Sequence, residues 1–171
     1  MTQEELLKRY TFRVIHMYEI PQAIAIEQIF FPPNEACSAQ AMKERSACAS
    51  ELFLVAIENR TGLIAGFING LATDETAFRD AFFTDANLHN PDGKNVMLLG
   101  LDVLPEHRMQ GLARELVNQY CQREQAKGRK ALILTCLEEK VEMYQKMQFV
   151  DDGMANSTWG GEAWHQMSRM L

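Results

Sequence analysis

The segment LLGLDVLPEHRMQGLARELV, Leu98 to Val117, constrains the fold more than any other part of the chain. It is an apolar run, then a turn containing Pro105, then a stretch that carries Leu112, Leu116, Val117 and Tyr120 on one helical face. The run predicts a strand from Met97 to Leu104 buried in the middle of a sheet, and the spacing after it predicts an amphipathic helix that starts at Arg108 or Met109 and ends at Lys127-Gly128. A strand feeding a helix in this way leaves unpaired N–H groups, and the positive end of the helix dipole, beside the sheet. Gly111 lets a ligand approach that main chain closely, Ala113 keeps the next turn small, and Arg108 adds a positive charge. Arg108, Met109, Gln110, Gly111, Leu112 and Ala113 are therefore a candidate phosphate- or diphosphate-binding loop.

The other segments are shorter. Thr11 to Met17 alternates apolar and polar residues, which predicts a first strand. Pro21 opens a helix with Ile20, Ile24, Ile26 and Ile29, and Pro32-Pro33 forbids its continuation. Ser38 is a candidate N-cap for a second helix to about Cys48. Leu52 to Ile57 and Leu63 to Ile68 flank the turn residues Glu58 to Gly62 and predict an antiparallel hairpin. Asp74 to Phe83 reads as a short helix and His89 to Asn95 as a surface loop. Ala131 to Cys136 is another buried strand, Glu138 to Met147 a helix, and strands begin at Phe149-Val150 and Ala163. This order predicts a mixed α/β sheet with helices on both faces. Its strand–helix–strand unit from Met97 to Cys136 is expected to be parallel and right-handed, with ligands gathered at the carboxyl ends of the strands.

With 171 residues, 47% of them apolar, the chain can bury a full core, and a single domain over residues 1–171 is expected. The formal charge of -6 argues against a nucleic-acid or anionic-membrane binder and suits a cationic partner. Met1 to Arg9 is charged, without the apolar centre of a signal peptide, and no run approaches the roughly 18 apolar residues needed to span a bilayer, which predicts a cytoplasmic protein. Cys37, Cys48, Cys121 and Cys136 lack paired-ligand spacing, so neither a metal site nor a disulfide framework is expected.

Arg108-x-x-Gly111-x-Ala113 after the strand Leu101-Asp-Val-Leu104, followed by Tyr144-Gln-Lys-Met-Gln-Phe149 on the next helix, resembles the Gcn5-related N-acetyltransferase superfamily. The order of elements agrees from Thr11 to Leu171. Glu35-Ala-Cys-Ser, Glu51-Leu-Phe-Leu, His89-Asn-Pro-Asp-Gly-Lys, Leu132-Ile-Leu-Thr-Cys136 and Trp164-His-Gln-Met are similar to the arylalkylamine (serotonin) N-acetyltransferase-like branch. The resemblance implies a twisted, mostly antiparallel sheet of six to seven strands and acetyl-CoA as co-substrate. It further implies a pyrophosphate on the Arg108 to Ala113 loop and a pantetheine arm paired with the main chain of Leu101 and Val103. A β-bulge near Leu104-Pro105 would leave that main chain free for the arm. Tyr144 matches the family tyrosine near the CoA sulfur and is the candidate general acid.

The acceptor side departs from the pattern. An amine must lose a proton to attack a thioester. The histidine pair that relays it in the serotonin enzymes corresponds here to Met97 and Leu99, which cannot titrate. Glu27, Asp74, His89 and Asp102 are the substitutes on offer, and Asp102, on the central strand, is the preferred base. Phe30 and Phe31 lie where the family walls its acceptor site and would favour a small amine carrying a hydrophobic group. The activity implied is acetyl transfer to an (aryl)alkylamine or polyamine by direct attack, in a monomer or homodimer. A protein or peptide acceptor, or a non-catalytic CoA-binding regulatory domain, are the alternatives.

Overall fold

A computed structural model describes residues 1–171. Seven strands form one sheet in the order β1-β2-β3-β4-β5-β7-β6: β1 (Tyr10–Val14), β2 (Phe53–Glu58), β3 (Ile64–Thr73), β4 (Asn95–Val103), β5 (Ala131–Cys136), β6 (Val150–Met154) and β7 (His165–Met170). Only β4 and β5 run parallel, and every other neighbouring pair is antiparallel. The expected mixed sheet with its one crossover unit is therefore present.

Six helices are α1 (Gln3–Arg9), α2 (Ile20–Phe30), α3 (Ala39–Cys48), α4 (Ala81–Thr84), α5 (Leu112–Ala126) and α6 (Glu138–Lys146). β2 and β3 are buried along their whole length, with α5 packed against both and α2 against β3. No helix is long and apolar enough to cross a membrane. Ser38 caps α3 as expected, its hydroxyl accepting from Ala41 N–H at 3.1 Å.

One helix was not anticipated, and three expectations are corrected. Residues 3–9 form a helix, closed by a capping box in which Thr2 and Glu5 satisfy each other's main-chain N–H groups. α5 begins at Leu112 and not at Arg108 or Met109, because Met109 (φ 60°) and Gly111 (φ 88°) take left-handed conformations that no helix admits. The bulge lies at Leu99: β3 residues Asn69 and Gly70 face Gly100 and Leu98, so Leu99 is the extra residue, several positions before Leu104-Pro105. The helix expected from Asp74 shrinks to α4, although Phe78, Phe82 and Phe83 do pack together.

Candidate functional site

β4 and β5 hydrogen-bond only at their beginnings, where Asn95, Val96 and Met97 face Ala131, Leu132 and Ile133. Beyond that point they part. β5 continues against β7 as far as Cys136 and His165, while Leu98 to Val103 have a neighbour only on the β3 side. The bond from Leu104 N–H to Ala65 O (2.9 Å) sets the phase of the β3–β4 ladder. By the alternation of an antiparallel pair, Leu101 and Val103 then turn their N–H and C=O groups away from β3, into the opening. This is an unpaired strand edge inside the molecule, suited to an extended arm with its own amide groups.

The loop after β4 completes the opening. The main-chain N–H groups of Met109, Gln110, Gly111, Leu112, Ala113 and Arg114 donate to no main-chain acceptor, and the first return bond of α5 runs from Glu115 N–H to Gly111 O. Left-handed residues at Met109 and Gly111 fold this run into a concave nest at the positive end of a 15-residue helix. A diphosphate fits such a nest. Met109 is 100% exposed, so its conformation is not imposed by packing of its own side chain. Arg108 turns back toward the strand: its Nε donates to Val103 O at 3.0 Å and its guanidinium covers the Phe30 ring at 5.1 Å. It bridges the strand edge to the end of α2. Phe30 and Phe31 form an edge-to-face pair with centroids 4.7 Å apart, both half-buried.

Tyr144 on α6 is half-buried and packs edge-on against Phe149. Burial first, with smaller contributions from the neighbouring Cys136 and Asp102, pushes its phenol far above the ordinary value, so it keeps its proton at any working pH. Cys136, at the end of β5, is pushed up to about 12 by burial and by Asp151 and Glu139. A thiol held protonated is a poor nucleophile, which disfavours an acyl-enzyme on this residue.

Asp102 is not open to the site. It is 0% exposed, enclosed with Glu27 of α2, Arg45 of α3 and Asn69 of β3, all buried. Asp102 Oδ1 and Oδ2, Glu27 Oε1 and Asn69 Nδ2 have no partner in the protein. A Cβ on Gly100 would lie 3.3 Å from Asp102 Oδ1 and 3.5 Å from Asn69 Nδ2, so the missing side chain leaves both atoms facing one gap. Burial first, then the charge of Glu27, raises the Asp102 carboxyl well above its usual range, while Arg45 opposes the shift. A proton on Asp102 can be donated to Glu27, which accounts for two of the orphaned acceptors.

This arrangement has a consequence for stability. The folded chain holds a proton on Asp102 that the unfolded chain releases near the ordinary 3.8. The associated stability is complete below that pH and is lost as pH rises toward the raised folded value. Asn at 102 keeps the neutral shape with an N–H donor, so urea unfolding is expected to find Asp102→Asn no more stable than the parent at pH 4 and more stable at pH 8. A parallel decline of both proteins with pH would show that Asp102 is ionised in the fold.

The other expected bases lie away from the opening. Asp74 Oδ1 accepts from Lys94 N–H at 3.0 Å, beside the start of β4. His89 Nδ1 accepts from Ala72 N–H at 3.0 Å, with Nε2 2.7 Å from Glu51 Oε1, so both ring nitrogens are occupied. Met97 and Leu99 are buried and apolar. Glu35 was not anticipated. It is half-buried in the turn after α2, and burial together with Glu162 and Glu139 raises its carboxyl. Sequence offered no signal for it, since the groups that tune it lie more than 100 positions away.

The turn that carries Glu35 is clasped to the β6–β7 loop. Asn34 Nδ2 donates to Gly160 O at 3.0 Å, Trp159 Nε1 donates to Glu35 O at 2.9 Å, and Trp159 lies against Phe83 with centroids 4.7 Å apart. Gly160 (φ +64°) is required there, because a Cβ would come within 2.5 Å of Asn34 O. Since Cys136 pairs with His165, the β6–β7 loop rises at the end of the sheet where β4 and β5 part.

The fold has close counterparts of low sequence identity. The loading GNATL domain of CurA from Lyngbya majuscula superposes with TM-score 0.79 at 15% identity, covering 94% of this chain and 97% of that one. The ribosomal-protein-S18-alanine N-acetyltransferase from Escherichia coli gives 0.69 at 18% identity, covering 95% and 94%. A phosphinothricin acetyltransferase from Sinorhizobium meliloti, in complex with AcCoA, gives 0.67 at 17% identity, covering 95% and 89%. No curated protein matches the sequence. The sequence profile of the acetyltransferase (GNAT) family matches residues 20–149, the span that holds the parted strands, the loop and Tyr144, and the chain belongs to that family.

Proposed function

We propose that this protein is an N-acetyltransferase that moves the acetyl group of acetyl-CoA to a compact primary amine by direct attack in a ternary complex. The observation that carries the reading is the parting of β4 from β5 beside a loop of unbonded N–H groups, in a chain of this family. In this reading Leu101 and Val103 hold the pantetheine amides. Met109 to Ala113 bind the pyrophosphate, and Arg108 supports the strand edge and adds charge. Acetyl-CoA supplies the thioester: the amine nitrogen bonds to its carbonyl carbon as the carbon–sulfur bond breaks. Tyr144 gives its proton or hydrogen bond to the departing sulfur.

The amine's proton needs an acceptor. We assign that role to Glu35, whose raised carboxyl is better matched to it than an ordinary one, and whose place beside the mouth leaves it reachable. Asp102, enclosed and neutral, becomes a group that shapes the floor behind Gly100. The acceptor class follows from the clasp. Loops tied together by Asn34, Trp159 and Gly160 favour a compact amine over a peptide, whose chain has to run out of the site. Phe30 and Phe31 offer that amine an aromatic wall, as in the arylalkylamine branch, and Glu35, Glu139 and Glu162 suit its positive charge.

Thiol release from acetyl-CoA is the direct test, run with tryptamine, phenethylamine, spermidine and short peptides with free N-termini. Compact amines are expected to exceed peptides in kcat/KM by at least about tenfold. Preference for a peptide would refute the acceptor assignment, and no transfer to any amine would refute the activity. Glu35→Gln is expected to lower kcat by about 10²-fold and to abolish the rise of rate with pH on the acid limb. A variant with the parent's pH profile would remove Glu35 from the mechanism.

A further inference from the structure

We propose that the N-terminal segment is a brace that positions the anion-binding loop, with Arg9 and Tyr10 as its positioning residues. The inference rests on the reading of the Met109 to Ala113 loop as the pyrophosphate site. Gln110 sits between the two left-handed residues of that loop, and its side chain is held from outside. Arg9 Nη1 donates to Gln110 Oε1 at 2.8 Å, and the Tyr10 hydroxyl lies 3.4 Å from the same oxygen. The same hydroxyl lies 2.7 Å from Nδ1 of buried His107, in the 3₁₀ turn that leads into the loop. Arg9 is itself fixed by Glu58 of β2 at 3.3 Å. One step further along, Leu6 of α1 comes within 3.7 Å of where a Cβ on Gly111 would stand, and Gln3 Nε2 reaches Glu115 Oε1 on the first turns of α5 at 3.3 Å.

The loop needs such a hold. A methionine with positive φ and a fully exposed side chain sits in a sparsely populated conformation that its own packing does not enforce. Conformations of that kind persist only where surrounding contacts over-determine them. Here the contacts reach both sides of Met109: His107 and Gln110 are tied to Tyr10, and Gln110 also to Arg9. Within the segment itself Gln110 has only a long bond from Nε2 to Glu106 O, at 3.4 Å. Release of the brace lets Met109 relax toward ordinary backbone, and its neighbours' N–H groups then no longer converge on one anion. Binding weakens while the chemistry at Tyr144, on another helix, is untouched.

Tyr10→Phe keeps the buried ring and removes only the hydroxyl. Desulfo-CoA affinity by calorimetry and KM for acetyl-CoA are both expected to weaken by about three- to tenfold. At saturating acetyl-CoA, kcat is expected to stay within about twofold of the parent, since binding alone is lost. Amide hydrogen exchange in the free protein is expected to quicken at Arg108 and Glu115, whose N–H groups bond to Pro105 O and Gly111 O at the two ends of the loop, and not in β2 or β3. Arg9→Ala should match this pattern, and Arg9→Lys should restore part of the affinity. Unchanged desulfo-CoA affinity and unchanged exchange in both Tyr10→Phe and Arg9→Ala would overturn the brace. Faster loop exchange with no desulfo-CoA binding by the parent protein would instead overturn the pyrophosphate reading, and the positioning role with it.

Discussion

Tyr144→Phe is expected to lower kcat by about 10²-fold while leaving desulfo-CoA affinity within about twofold of the parent. The phenol is held protonated chiefly by burial, with no hydrogen bond contributing to its shift. Its hydrogen is therefore free for a ligand. Loss of one oxygen atom leaves the edge-on contact with Phe149 in place, so the fold should hold and the defect should appear only at the step in which sulfur departs. Single-turnover kinetics separate that step from release of product. A variant that keeps the parent's single-turnover rate would remove Tyr144 from the chemistry.

The largest effect on stability is expected at Arg45. Its side chain is 2% exposed, and its guanidinium donates to Asn69 Oδ1 at 3.1 Å, to Cys37 Sγ at 3.2 Å and to Phe83 O at 3.3 Å. It is also the cation that opposes the upward shift of Asp102. Arg45→Met fills most of the space but leaves Glu27 and Asp102 in the core without a positive neighbour. Breaking one side of a buried charged cluster costs about 3–5 kcal/mol, which for a domain of this size is a fall in Tm of roughly 6–20 °C. Glu27→Gln in the Arg45→Met background should recover part of that loss, because it removes the charge left uncompensated. A destabilisation below about 1 kcal/mol, or no recovery in the double variant, would refute Arg45 as the compensating cation of this cluster.

Most of the fold was legible in the sequence because it rests on local signals. Strand periodicity in β2 and β5, the prolines that end α2, Ser38 at the head of α3 and the glycine after α5 each act over a few residues. Even α1, which was not anticipated, had its local signal in the Thr2–Glu5 capping box. The parted strand and the loop after it were legible for the same reason: Leu101, Val103 and the residues from Arg108 to Ala113 lie close together in sequence, and main-chain conformation shapes them.

The acceptor half was not, because its chemistry comes from contacts between distant residues. Asp102 reads as the preferred base on the central strand. Only Glu27, Arg45 and Asn69, brought over it by α2, α3 and β3, make it a buried acid. Leu99 as a bulge, Arg108 on Val103 O, Glu35 beside Glu139 and Glu162, and Trp159 closing over Glu35 follow from the same cause.

The sequence by itself determined the order of strands and helices and the strand–turn–helix from Leu98 to Val117, since backbone preference and apolar spacing act within a few residues. Only the tertiary structure decided which carboxyl is buried with its proton, which one Glu139 and Glu162 approach, and what holds Gln110 in place. Desolvation and charge act through space, and the residues concerned, from Arg9 to Glu162, meet only when the chain has folded.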